Sequence, residues 1–199
     1  MFEKIKLFFS NKTGYELEFS NAFKNTLKNG LGTYKSFKKI NQRLVTDESL
    51  LEFHDYIKHL NLTPDLLVAQ CLGVHYALKP YVDEFYGVNS ILTIGHIERK
   101  VGGKAFYEPM EERITYFSQP RDIMKPTNIH VWLTLPTLEI LDFTLPTTLS
   151  YVCGIKEWEG AVIAQHGDDE NDHFYKPEFV GIEFLYKAGL LKVELTEIF

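Results

Sequence analysis

The sequence predicts an α+β fold, on three observations. The N-terminal third carries apolar residues at helical spacing. After Gly87 the period becomes that of strands, first at Ser90 to Ile97 and then in two apolar runs around Pro136-Thr137. A helical pattern returns from Pro177 to Ala188. Helices first, then sheet, then helix points to segregated layers rather than alternating βα units.

Each element has a local reason. Leu17, Phe19, Phe23 and Leu27 form a helical stripe that Asn29-Gly30 ends. A second helix spans Asp47 to Leu60, with Thr46 as N-cap and Asp47 and Glu48 in the first turn. Thr63-Pro64-Asp65 is a turn or helix-start signal. From Cys71 to Tyr86, Val74, Ala77, Leu78, Tyr81, Val82 and Phe85 fall on one side, and Gly87 suits a helix end. Pro80 inside this run is expected to kink or split the helix. Residues 98–126 are polar, with Gly102-Gly103 and three prolines, and read as a long excursion with a short strand near Ile114 to Phe117. Strands follow at Ile129 to Leu135 and Leu138 to Phe143. Residues 154–175 read as an acidic, loop-rich stretch, and a short apolar tail follows the last helix.

Composition narrows the class. The chain has 199 residues, 45% of them hydrophobic, which suits one globular domain able to bury a core without staples. The expected organisation is a helical extension over 1–62, a core over 63–150 and a C-terminal loop and helix over 151–199. The formal charge of −6 argues against bulk affinity for nucleic acid or an anionic membrane. Lys35, Lys38, Lys39 and Arg43 cluster early and read as a solvated helix face rather than a binding patch. Cys71 and Cys153 have no metal-type spacing and make no disulfide framework, so a reduced, cytoplasmic setting is expected, with signal-independent export left open. No cofactor is expected. The apolar run after Lys6 is too short for a signal peptide, and no stretch approaches the length of a membrane span.

The hairpin around Pro136 carries the chemistry. If Pro136 is the centre of a three-residue loop, His130 faces Asp142, Trp132 faces Ile140 and Thr134 faces Leu138, all on one face. The other face carries Ile129, Val131, Leu133, Leu135, Leu141 and Phe143, with Glu139 as the exception. A loop one residue shorter would split the pair between faces. An imidazole backed by a carboxylate can take the proton of a thiol, whose unperturbed pKa near 8.5 leaves it mostly protonated at neutrality. Cys71 stands where a helix begins, and there the unpaired N–H groups favour negative charge.

Cys71-Leu-Gly-Val-His-Tyr-Ala77-Leu resembles the nucleophile helix of the transglutaminase-like, or papain-like, cysteine enzymes. The run from Tyr86 to Gly95, the His130-Val131-Trp132 strand and Leu141-Asp142-Phe143-Thr144 are similar to the segments that follow in that superfamily, in the same order. The likeness covers roughly residues 65–145. It implies an open antiparallel sheet packed on the Cys helix, with Cys71 as nucleophile, His130 as base and Asp142 as orienter. The chain departs from the pattern at Ala69, where a Gly is common, in its short hairpin, and at Pro80.

The resemblance implies thioester chemistry on a peptide or protein amide, with hydrolysis by a peptidase or deamidase expected first. Acyl transfer, or a catalytically inactive partner-binding domain on the same core, is the alternative. The Arg-Gly-Gly-x-Cys signature of arylamine N-acetyltransferases is absent, since Val-Ala-Gln precedes Cys71. Gln70 and Trp132 are candidates near an oxyanion. His75, one turn after Cys71, is a rival base. His54, His59 and His96 read as surface or half-buried. The acidic stretch from His166 to His173 lacks EF-hand spacing and reads as solvated. Cys153 reads as structural.

Overall fold

The computed structural model describes residues 14–32, 38–117, 127–169 and 172–191. The early lysine cluster falls partly outside them, as do the N-terminal apolar run and the apolar tail; its described members lie in an irregular stretch rather than on a helix, where Lys39 pairs with Glu16 and Arg43 with Asp169. The helices are α1 (Gly14–Lys28), α2 (Asp47–Ile57), α3 (Pro64–Leu67), α4 (Cys71–Tyr86), α5 (Met110–Thr115), α6 (Leu145–Cys153) and α7 (Glu183–Lys187). The strands are β1 (Ile91–Arg99), β2 (Gly103–Ala105), β3 (His130–Thr134), β4 (Glu139–Asp142), β5 (Ile163–His166) and β6 (His173–Val180).

All pairings in the six-stranded sheet are antiparallel. β1 is its spine. β6 lies along one edge of β1, and β3 and β2 share the other edge end to end. β4 and β5 continue outward from β3. Gly95 is required where β1 meets β6: a Cβ there would sit 2.0 Å from the Lys176 carbonyl, at the β-bulge between Ile94 and Gly95.

Helices cover both faces. Val74, Leu78 and Val82 of α4, with Phe53 and Ile57 of α2, pack on Ile94, Val131, Leu133, Leu141 and Phe143. Tyr15, Phe19 and Ala22 of α1 pack on Trp132, Ile140, Ile97 and Tyr175. Every residue of β3 and β4 is therefore buried. The face that carries His130, Trp132 and Ile140 is a core in its own right, because α1 lies over it. Buried hydroxyls tie α1 down: Trp132 Nε1 donates to the Tyr15 hydroxyl at 3.0 Å, and Tyr15 meets Thr134 Oγ1 at 2.9 Å.

Local signals placed several elements well. Thr46 caps α2 with a capping box, Pro64 opens α3, and α4 ends at Gly87 with φ of 63°. Pro80 does not split α4. It is exposed, as is Tyr76, whose carbonyl it leaves without a helical donor.

Other expectations are corrected. The segment expected as a strand at Ile114 to Phe117 is the end of α5 and the turn after it. Pro177 does not open a helix: it sits within β6 opposite Gly95, at the bulge, and the terminal helix is only Glu183–Lys187. A proline is tolerated there because a bulge leaves a ladder bond unmade. The stretch 154–175 contains β5 and the start of β6, and α6 precedes it. His96 is buried, not half-exposed, with Nδ1 2.7 Å from Glu178 Oε1. In the acidic stretch, Asp168 accepts the Tyr15 N–H at 2.6 Å and Asp169 pairs with Arg43 at 2.5 Å, so both are bonded rather than simply solvated.

The hairpin register is also two residues from the expected one. Leu133 pairs with Leu141 and Thr134 with Ile140, and Leu135 N–H donates to the Glu139 carbonyl at 2.8 Å. The loop is Pro136-Thr137-Leu138, centred on Thr137, with Leu138 at φ of 66°. A shift of two preserves which face each side chain takes. The odd residue, Glu139, is buried, and its carboxylate accepts the N–H groups of Leu44 and Val45 at 2.8 and 3.1 Å.

Candidate active site

His130 opens β3 and Asp142 closes β4. In the observed register they are diagonal rather than opposite, and the long imidazole spans the offset. Nε2 of His130 donates to Oδ2 of Asp142 at 2.5 Å. The carboxylate has four further donors. Oδ1 accepts from Thr144 N–H at 3.0 Å, Thr144 Oγ1 at 3.1 Å and Leu145 N–H at 3.0 Å. Oδ2 also accepts from the Tyr175 hydroxyl at 2.8 Å. Burial pushes the Asp142 carboxyl up. The His130 charge and these hydrogen bonds outweigh it and hold the group well below the usual carboxylate range. Burial raises the Tyr175 phenol, reinforced by Asp142, so it stays a donor.

Cys71 is the first residue of α4 and is partly buried. Its Sγ lies 3.9 Å from the Ile129 carbonyl, one residue before His130. With Nε2 of the imidazole committed to Asp142, Nδ1 is the nitrogen left for the thiol. Burial alone would lower the His130 pKa. Asp142, by charge and hydrogen bond, and then the Cys71 thiol in the same two ways, raise it to about 10.

Ala69, two residues before Cys71, has φ of 55°. That is the left-handed region, which favours glycine. Its N–H donates to Thr148 Oγ1 of α6 at 3.1 Å, which anchors the turn into α4. Gln70 occupies the N-cap without a side-chain capping bond, so the N–H groups of the first turn of α4 have no side-chain acceptor. Gln70 itself is exposed. It lines a groove of about 580 Å³ with Leu66, Gly73, Ala77 and Tyr81. Trp132 packs beside the imidazole, ring centroids 6.0 Å apart. Its indole N–H is spent on Tyr15, so the side chain has no donor to offer an oxyanion.

His75 is fully buried, and its two nitrogens have definite roles. A carbonyl only accepts, so Nδ1–H donates to the Cys71 carbonyl, at 2.6 Å. Nε2 accepts the Phe143 N–H at 3.0 Å. That is one neutral tautomer with both ends used. Burial lowers its pKa to about 4, against the opposing pull of Asp142, whose Oδ1 is 3.5 Å from Nε2. His75 is thus a bridge between the Cys71 turn and the end of β4, with no ring nitrogen left for the thiol.

Two contacts had no readable signal. Tyr175 comes from β6, in a segment that reads as loop. Phe106, just after β2, stacks on His130 with centroids 5.0 Å apart and planes 19° apart. Among the described residues no group of three or more His, Cys, Asp or Glu could hold a metal ion, and no helix is long and apolar enough to cross a membrane. Comparison with protein-family models, curated proteins and solved structures finds no match to this chain.

Proposed function

We propose that this chain is a cysteine-dependent amide hydrolase on a transglutaminase-like core, with Cys71 as nucleophile, His130 as base, Asp142 as orienter and a peptide or protein amide as substrate. The observation that carries the reading is the His130 imidazole, bonded to a buried, multiply hydrogen-bonded carboxylate, with Cys71 Sγ at an uncapped helix start 3.9 Å from the carbonyl of the residue before it. The order Cys, His, Asp and a sheet packed on the Cys helix support the choice of core.

In this reading the Cys71 proton already rests on Nδ1 of His130 at neutral pH, as the imidazole's pKa of about 10 requires, and the thiolate of this pair attacks the amide carbon. The carbonyl oxygen becomes an oxyanion, which the free N–H groups at the start of α4 are suited to receive. The C–N bond then breaks as His130 protonates the departing amine, leaving a thioester. Water, giving its proton to His130, attacks the thioester and releases the acid and the thiol. Hydrolysis is favoured over transfer because water needs no site of its own.

One observation favours a non-catalytic, partner-binding role: His130 is only 2% exposed, under Phe106. Iodoacetamide separates the two. The hydrolase reading expects Cys71 to be alkylated at mildly acidic pH much faster than exposed Cys153, and His130→Ala to abolish the difference. Equal, slow reaction of both cysteines would overturn it.

A further inference from the structure

Arg113 of α5 is fully buried in a segment that reads as polar excursion. Its guanidinium holds two main-chain carbonyls. Nη2 donates to Phe106 at 3.2 Å and Nη1 to Asn128 at 3.0 Å. Nε lies against Glu178 Oε2 of β6 in an ion pair, and the other oxygen of Glu178 is bonded to His96. Both carbonyls lead to the imidazole. Phe106, held at a strained φ of 60°, lays its ring on His130. Asn128 precedes Ile129, whose carbonyl approaches Cys71 Sγ, and His130 follows.

A buried cation that only completed an ion pair would need Glu178 and nothing more. Here the planar fork is used on two chain segments at once, a task a lysine ammonium on a flexible stem performs poorly. The left-handed Phe106 would relax if its carbonyl were released, and the stacked ring would leave the imidazole.

We infer that Arg113 is a positioning residue for His130, acting through Phe106 on one side and the Asn128–Ile129 approach on the other. This rests on the Cys71–His130 chemistry proposed above. The test compares Arg113→Lys, Arg113→Met and Phe106→Ala in the full chain. It reads the pH profile of Cys71 alkylation, the NMR shifts of the His130 ring protons and the thermal midpoint. Arg113→Lys keeps a charge for Glu178, so it should melt closer to wild type than Arg113→Met. Both should nevertheless slow Cys71 alkylation at pH 6 by about a hundredfold, the scale of an ångström of misplacement. Phe106→Ala should slow it in the same direction, and the part of the His130 ring-current shift that comes from Phe106 should be lost in Phe106→Ala, leaving that of Trp132 and Tyr175, and should shrink in Arg113→Lys. An Arg113→Lys protein with a wild-type alkylation profile and unmoved His130 signals would overturn the inference. If wild-type Cys71 reacts no faster than Cys153, the hydrolase reading fails. The His130 shifts in Arg113→Lys then still decide the role of Arg113. If Arg113→Met does not fold, the other two variants carry the test.

Discussion

The main-chain N–H of Phe143 donates to Nε2 of His75, 3.0 Å away, while the other nitrogen of that ring donates to the carbonyl of Cys71. One neutral histidine thereby joins the residue after Asp142 to the residue proposed as nucleophile.

That bridge sets an acid limit on stability. An unfolded histidine binds a proton near pH 6.5, but His75 in the fold does so only near about 4. Between those values the unfolded chain holds more protons, so acidification through that window destabilises the fold. His130 acts in the opposite direction. Folded, it keeps its proton to about 10, so stability is lost as pH rises from about 6.5 to 10. Urea unfolding across pH should therefore show a maximum near pH 6.5, and His75→Gln should flatten the acid limb. A wild-type acid limb no steeper than that of the variant would show that His75 titrates like an ordinary histidine.

Asp142→Asn should cost about 3 kcal/mol, the scale for breaking a buried charged pair. The amide keeps one acceptor oxygen where the carboxylate uses both, against donors from His130, Thr144, Leu145 and Tyr175. His130 should then lose its proton far below about 10, because the charge that opposes its burial is gone. NMR titration of the imidazole reads this directly, and an unchanged His130 titration would contradict the assignment of Asp142 as its main partner.

Ala69→Gly should stabilise the chain by about 1 kcal/mol, since glycine adopts the left-handed region without a Cβ penalty. The Ala69 N–H bond to Thr148 is a main-chain bond and survives the change. Ala69→Val should destabilise by more than this gain. Denaturant midpoints for the pair decide it, and a destabilised glycine variant would mean that the turn is not strained at Ala69.

Much of the frame was legible because its signals are local. The capping of α2 by Thr46, Pro64 at the start of α3 and Gly87 at the end of α4 each depend on a few neighbouring residues. The hairpin was legible in parity but not in register. With a three-residue loop, alternation assigned His130 and Asp142 to one face, while the turn settled one residue further on, centred on Thr137, with Leu138 taking the positive φ that no glycine announced. Pro177 misled because a proline suits a helix start and a strand bulge alike, and only the neighbour at Gly95 distinguishes them.

By itself, the sequence determined where α4 begins and ends, because that follows from backbone periodicity and end signals; it put His130 and Asp142 on one face only on condition of an odd-length loop, and the fold supplied that loop. Tertiary structure decided what surrounds the imidazole. Tyr175 and Phe106 arrive from β6 and from the segment after β2, and Arg113 holds the latter in place. It also decided that His75 is neutral and fully engaged, since burial and the Phe143 N–H depend on chain segments distant in sequence.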